Sequence, residues 1–332
     1  MSLDISGLGH AIVDLQFKID LPFLKILRKL NIEFGAMTLK DIDGQQELLR
    51  YLEENSPNPL KACGGSATNS IIAASSFGSN CHYSCKVSND ELGRFYKKDL
   101  DTNNIQNNIL PEDSINPSGQ SIIMITPDAE RTMCTCLGIS ETFSENNLDI
   151  QGIVESKYLL MEGYLVTSDS SFKACNKAIK VAKDNKTKIA FSLSDLNIVS
   201  AFHSRMMEII NSDLDIIFCN QSEALSLTKK NSFELALIDM QGLAKTTFIT
   251  KGKMGASICD ENKVHQIKGV KANAIDTNGA GDMFAGAVLH YLSQGFSAQE
   301  AARFGCFAAS KNVEFFGPRL PKQRFIDIIN SY

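Results

Sequence analysis

Asp276-Thr277-Asn278-Gly279-Ala280-Gly281-Asp282 is the stretch on which the reading of this chain turns. It follows a β-like run, 270–275 (VKANAI), and precedes a run in which Phe284, Ala287, Val288, Tyr291 and Leu292 recur at helical spacing. That pattern predicts a helix starting within Gly279 to Asp282. A helix N-terminus presents unpaired N–H groups and the positive end of the dipole, which suits an anion. Glycine lets the anion come close, because no Cβ intervenes. A carboxylate in the same turn would repel a resting phosphate. Asp282 makes sense there if it takes a proton from a hydroxyl while the adjacent amides hold a phosphoryl group in transfer. The simpler alternative is an N-cap aspartate after a glycine turn.

Outward from this turn, the chain alternates apolar and amphipathic segments. Residues 157–162 (KYLLME), 188–193 (KIAFSL), 215–219 (DIIFC) and 246–250 (TTFIT) read as strands. Between them, Phe172, Cys175, Ile179 and Ala182, then Phe202, Met206, Ile209 and Ile210, fall at helical spacing. Continuous apolar strands between helices predict an α/β fold, a doubly wound and mostly parallel central sheet flanked by helices. Two segments break the rhythm. Residues 15–62 hold an alternating stretch, a helix-like 23–30 and a Pro57/Pro59 break, and 115–137 reads as a hairpin turning at Pro127-Asp128. Parts of both are expected to form a small β-sheet lid over the carboxyl edge of the main sheet, within one domain spanning 1–332.

Composition narrows the partners. The 332 residues are 43% hydrophobic and 21% charged, ordinary for a globular protein, and the net charge is −5. No basic surplus is present to neutralise a nucleic-acid backbone, and no apolar stretch reaches the roughly 18 residues of a membrane span. Asp4, His10 and Asp14 stand where a signal peptide needs an apolar block, and nine cysteines read as free thiols in a reducing cytoplasm. Cys81/Cys85 and Cys134/Cys136 lack zinc-ligand spacing. A GxxxxGK[ST] loop is absent, and the Gly279 turn is not GxGxxG, which sets aside P-loop and dinucleotide enzymes.

Other segments offer polar groups at element ends. Gly64-Gly65-Ser66-Ala67-Thr68-Asn69 opens a helix, and its carboxamide suits a polyhydroxylated ligand, or caps the turn locally. Asp14 follows the strand-like 7–13 and either accepts from vicinal hydroxyls or caps a loop. Asn220 and Glu223 follow a strand and can hold hydrated Mg²⁺ and phosphate oxygens, or simply start a helix. Thr250-Lys251-Gly252-Lys253-Met254-Gly255 can lie along a nucleotide or form a hairpin turn. Arg131 can reach a transferring phosphoryl group from the lid.

In order along the chain, GLGHAIVD (7–14), GGSATNS (64–70), KVSNDELG (86–93), ERTMCTCLG (130–138), NQSE (220–223), TKGKMG (250–255), DTNGAGD (276–282) and GPRL (317–320) resemble the PfkB family of carbohydrate and nucleoside kinases. The resemblance implies a ribokinase-like fold and ATP-dependent phosphorylation of a hydroxymethyl group with Mg²⁺. It implies Asp282 as catalytic base and Asn278, Gly279, Ala280 and Gly281 as anion hole. Asp14, Gly64, Gly65 and Asn69 correspond to sugar-hydroxyl contacts, and Asn220 and Glu223 to the magnesium and phosphate motif. Thr250, Gly252 and Gly255 fall in the nucleotide loop, Asn312 flanks the ATP base, and Arg131 matches a lid arginine at the phosphates. Asn278, FSLSDL (191–196) and GGSATNS look most like adenosine kinases and their bacterial relatives, whereas Cys85 and Asp195 depart from several of them.

The expected reaction is therefore phosphoryl transfer from ATP to the 5′-hydroxyl of adenosine or a similar ribonucleoside. A sugar kinase acting on ribose, fructose or a relative is the alternative within the same chemistry. A non-catalytic nucleoside-binding protein is the alternative from another class. The resemblance leaves open a monovalent cation near Asp276 and either a monomer or a homodimer.

Overall fold

The computed structural model describes residues 3–35, 37–55, 59–127, 131–260 and 263–332. The strands among them are β1 (Leu3–Leu8), β2 (Ile12–Lys18), β3 (Met37–Leu39), β4 (Leu60–Cys63), β5 (Cys81–Ser84), β6 (Gly119–Ile125), β7 (Arg131–Cys136), β8 (Ser156–Glu162), β9 (Lys188–Ser192), β10 (Leu214–Asn220), β11 (Ala244–Thr250), β12 (Gly255–Asp260) and β13 (Lys263–Lys268). They form two sheets.

The larger sheet runs β13-β12-β11-β10-β9-β8-β1-β5, parallel from β5 to β11, with β12 and β13 added antiparallel. Its strands are apolar on both sides because both faces are covered. Along β10, Ile216 and Phe218 join the core with Phe284 and Val288 of the Ala280–Ser293 helix, whereas Ile217 and Cys219 join the core with Met206 and Ile209 of the His203–Ile210 helix. The expected doubly wound layer is present, and its parallel strands direct their carboxyl ends to one edge.

The smaller sheet runs β3-β7-β6-β2-β4. One face buries Val13, Leu15, Phe17, Ile122 and Met124 in the same core as Leu27, Leu48 and Leu52. Leu48 and Leu52 belong to the Ile42–Asn55 helix, which the sequence reading did not anticipate. The other face overhangs the carboxyl edge of the large sheet in two cross-strand rows: Asp14-Ser121-Thr135-Leu39 and Gln16-Ile123-Met133-Met37.

Three expectations change. The run 7–13 is not one strand: β1 ends at Leu8 and β2 starts at Ile12 in the other sheet, so Asp14 lies inside a strand rather than at its end. Residues 270–275 form no strand. The chain leaves the sheet after β13, and the Ile275 and Asp276 N–H groups donate to the Val313 carbonyl at 2.7 and 3.1 Å. The β6–β7 hairpin is antiparallel as expected, but Asp128 of its turn, like Pro57, lies outside the described residues. Among the described residues no helix is long and apolar enough to cross a membrane.

Candidate active site at the junction of two cavities

The glycine turn starts its helix as expected. Gly279 is the N-cap with φ +70°, and a Cβ there would stand 2.3 Å from the Pro318 carbonyl oxygen, so only glycine fits. The helix that follows presses on the Ser66–Ser76 helix. At Gly286 an added Cβ would meet the Ser70 carbonyl oxygen at 2.3 Å. That close approach brings Ser66 and Asn69 opposite Asp282. Ser66 Oγ donates to Asp282 Oδ1 at 2.7 Å, and Asn69 Nδ2 donates to Oδ2 at 2.8 Å. Asp282 is thus not a cap, and Asn69 is not a local capper. Arg319 completes the chain: its Nε donates to Asn69 Oδ1 at 2.7 Å and a terminal nitrogen to Asp99 Oδ2 at 2.6 Å. Burial raises the pKa of the half-buried Asp282, while Asn69, Ser66 and Arg319 oppose that rise.

A cavity of about 400 Å³ opens in front of Asp282, between the carboxyl ends of the parallel strands and the small sheet. Asp14, Gly65, Asn69, Asn220, Glu223 and Asn278 all border it. Gly64 lies just behind, where a Cβ would come 2.7 Å from Asp14 Oδ1. Burial pushes the Asp14 carboxyl up to about 7, against the pull of Arg319 and Arg131. Sequence reasoning missed Glu162. It ends β8, and its two oxygens accept from the His10 N–H at 2.7 Å and the Ala67 N–H at 2.8 Å. Burial pushes Glu162 up to about 7 as well. Neither Cys85 nor Asp195 borders this cavity; Asp195 caps the Leu196–Ala201 helix by accepting from the Asn197 and Ile198 amides.

A second cavity, about 570 Å³, lies on the other side of the turn. Thr250, Gly252 and Gly255 border it from the β11–β12 connection, which is also the hairpin turn of the alternative reading. Val270, Ala272 and Ala274 border it too, so these apolar residues of 270–275 serve a cavity rather than a ladder, while Ile275 is exposed. The two cavities share Thr250, Gly281 and Phe284. Asn312 borders neither: it is fully buried, donates to the Asn278 carbonyl at 3.2 Å, and leaves Ala309, Ser310 and Val313 to face the second cavity. Arg131 pairs with Asp276 and lies 4.8 Å from the Phe316 ring, tying β7 of the small sheet to the glycine turn.

Asn220 and Glu223 form a reciprocal helix-starting cap: Asn220 Oδ1 accepts from the Glu223 N–H at 2.8 Å, and Glu223 accepts from the Asn220 N–H at 2.9 Å. The buried Glu223 carboxyl is pushed up to about 7 by desolvation, with no basic side chain among the causes acting on it. Its two oxygens accept from the Asn220 N–H and, at 2.7 Å, from Asn220 Nδ2, but unlike Asp276 it has no cationic partner among the described ion pairs, so its remaining lone pairs fit the waters of a hydrated Mg²⁺. Asp276 fits a monovalent cation poorly, because its oxygens already accept from Arg131, the Gly317 N–H at 2.7 Å and the Asn278 N–H at 2.9 Å. Among the described residues no group of three or more His, Cys, Asp or Glu is placed to hold a metal.

Two cavities meet at a helix N-terminus, with a carboxylate hydrogen-bonded in one of them, an arrangement that suits a small-molecule phosphotransferase. The model of the pfkB family of carbohydrate kinases matches residues 31–324. The chain belongs to that family of kinases, and membership implies ATP as phosphoryl donor. It is 26% identical over 261 residues to the ribokinase of Haemophilus influenzae, covering 76% of this chain and 81% of the relative. It is 24% identical over 341 residues to adenosine kinase 1 of Arabidopsis thaliana, covering 96% of each. The crystal structure of adenosine kinase from Sinorhizobium meliloti superposes with a TM-score of 0.91 at 28% identity over the whole of both chains.

Proposed function

We propose that the chain transfers the γ-phosphoryl group of ATP to the hydroxymethyl group of a ribonucleoside such as adenosine. The observation that carries the reading is the meeting of the two cavities at Gly281 and Phe284, with Asp282 facing the first. The acceptor occupies the first cavity, its hydroxyls toward Asp14, Glu162 and Asn69. Asp282 takes the hydroxyl proton as that oxygen bonds to the γ-phosphorus and the bond to the β-phosphate oxygen breaks, releasing ADP. The first-turn amides at Gly281 and Asp282 have no intrahelical acceptor and steady the charge on the transferring group. Asn220 and Glu223 would hold a hydrated Mg²⁺, which when bound would neutralise charge on the donor phosphates. The small sheet acts as a lid that excludes water, and Arg131 couples it to the glycine turn.

The small sheet's inner face supports a nucleoside. One row is polar at Asp14, Ser121 and Thr135, and the next is apolar at Ile123, Met133 and Met37. A ribose meets the first and leaves the second to a base; a free sugar leaves that apolar surface uncovered. Glu162 is the observation that favours the second reading, a sugar kinase, because an extra carboxylate suits an extra hydroxyl. The outer face of the lid is covered by the chain's own helices, which favours a monomer. ADP release with adenosine, inosine, ribose and fructose tests the reading. Adenosine is expected to give the highest kcat/KM. A higher value for ribose or fructose transfers the assignment to a sugar kinase, and nucleoside binding without ADP release favours the non-catalytic alternative.

A further inference from the structure

The side chains that border the first cavity are one-sided in charge. Four are carboxylates, Asp14, Glu162, Glu223 and Asp282, and among the described residues no lysine or arginine joins them; with Glu223 assigned to Mg²⁺ on the donor side, Asp14, Glu162 and Asp282 are left to face the acceptor. The two nearby guanidiniums are not in the lining: Arg131 pairs with Asp276 and Arg319 with Asp99, and the attraction both exert on Asp14 is outweighed by its burial. Glu162 is held by the His10 and Ala67 backbone amides, which stabilise it without neutralising it. His10 also borders the cavity with both ring nitrogens unpartnered, and burial holds its pKa down to about 4, so the imidazole adds no positive charge. The anion-compatible points lie on the donor side, at the glycine turn where the transferring phosphoryl group arrives and at Asn220 and Glu223, where Mg²⁺ would be held.

We propose that this cavity selects its acceptor by charge: uncharged or amine-bearing hydroxymethyl compounds enter, and compounds that already carry a phosphate or carboxylate are turned away. The proposal rests on the assignment of the first cavity to the acceptor. It places the enzyme at the first phosphorylation of its substrate. The acceptor must then be supplied by a reaction that yields a neutral compound, such as hydrolysis of a phosphate ester or of a glycosidic bond, and not by another kinase. One carboxylate about 6 Å from a ligand anion, at an effective dielectric near 20, lowers its affinity roughly 100-fold.

Two matched series read this at pH 8 by ADP release. The first compares 3′-O-methyladenosine, 3′-amino-3′-deoxyadenosine and adenosine 3′-phosphate, all with a free 5′-hydroxyl. The second compares 1-O-methylfructose, 1-amino-1-deoxyfructose and fructose 1-phosphate, all with a free 6-hydroxyl. In whichever series turns over, kcat/KM for the phosphate ester is expected at least about 100-fold below that of the methyl ether, with the amine at least equal to the ether. Glu162→Gln is expected to narrow the ether-to-phosphate ratio. A phosphate ester used within tenfold of its ether, or a ratio that Glu162→Gln leaves unchanged, overturns the proposal. Turnover of the fructose series alone, with the charge ratio intact, upholds the charge rule while refuting the nucleoside assignment.

Discussion

Asp14→Asn is expected to stabilise the unliganded protein in alkali and to cripple it as a catalyst. In the folded chain burial raises the Asp14 pKa from 3.8 to about 7, helped by Asp282 and opposed by Arg319 and Arg131. The folded state therefore prefers the protonated acid. The associated stability is complete below the unfolded value near 3.8 and is lost as pH rises through about 7. At about 1.4 kcal/mol per pKa unit, wild type loses at most about 4 kcal/mol across that window, and about 2–3 kcal/mol of it above pH 5. Asparagine has nothing to ionise. Urea unfolding of the two proteins at pH 5 and pH 8 should show the stability difference moving in favour of Asp14→Asn by about 2–3 kcal/mol. Losing charged hydrogen bonds to acceptor hydroxyls should meanwhile lower kcat/KM by roughly 10–100-fold. A stability difference that does not change with pH would mean that the Asp14 carboxylate carries no desolvation cost.

The two glycines of the turn should separate folding from chemistry. Gly279→Ala forces a φ of +70° on a residue whose Cβ would meet the Pro318 carbonyl, and thermal unfolding should show a loss of at least about 1–3 kcal/mol. Gly281→Ala meets nothing within 4 Å and should unfold like wild type, yet its methyl stands between the two cavities and should lower kcat at least tenfold by roughly the value of one lost oxyanion contact. Glu223→Gln should raise the Mg²⁺ concentration for half-maximal rate about 10-fold or more in a magnesium titration, and removal of divalent ions with a chelator should abolish ADP release.

Much of the fold was open to sequence reading because its signals are local. Apolar strands such as 215–219 and helical periods such as Phe284 to Leu292 report burial on both faces, and the glycine turn reports a helix start wherever it lies. Most of what failed was non-local. The step from β1 to β2 at Gly9–Ala11 leaves a faint trace, since Gly9 and Ala11 are weak strand formers, but only pairing shows that the two strands belong to different sheets. Glu162 carried the same signal as Asp14, a carboxylate at the end of an apolar run, but its relevance depends on β8 lying beside β1 across 150 residues of chain. Arg319 had no spacing relation to Asn69. The apolar residues of 270–275 were read as a strand because a cavity wall and a ladder demand similar side chains. The Ile42–Asn55 helix did leave a trace, Gln45, Leu48 and Leu52 at helical spacing, within a segment rich in glutamate and glutamine.

In the proposed mechanism Asp282, held by Ser66 and Asn69 at the meeting of the two cavities, removes the proton from the acceptor hydroxyl. Single-turnover ADP formation by Asp282→Asn, with acceptor affinity measured alongside, tests it most directly. The expected rate is about two to four powers of ten below wild type, with acceptor affinity changed less than tenfold. A rate within tenfold of wild type would contradict it.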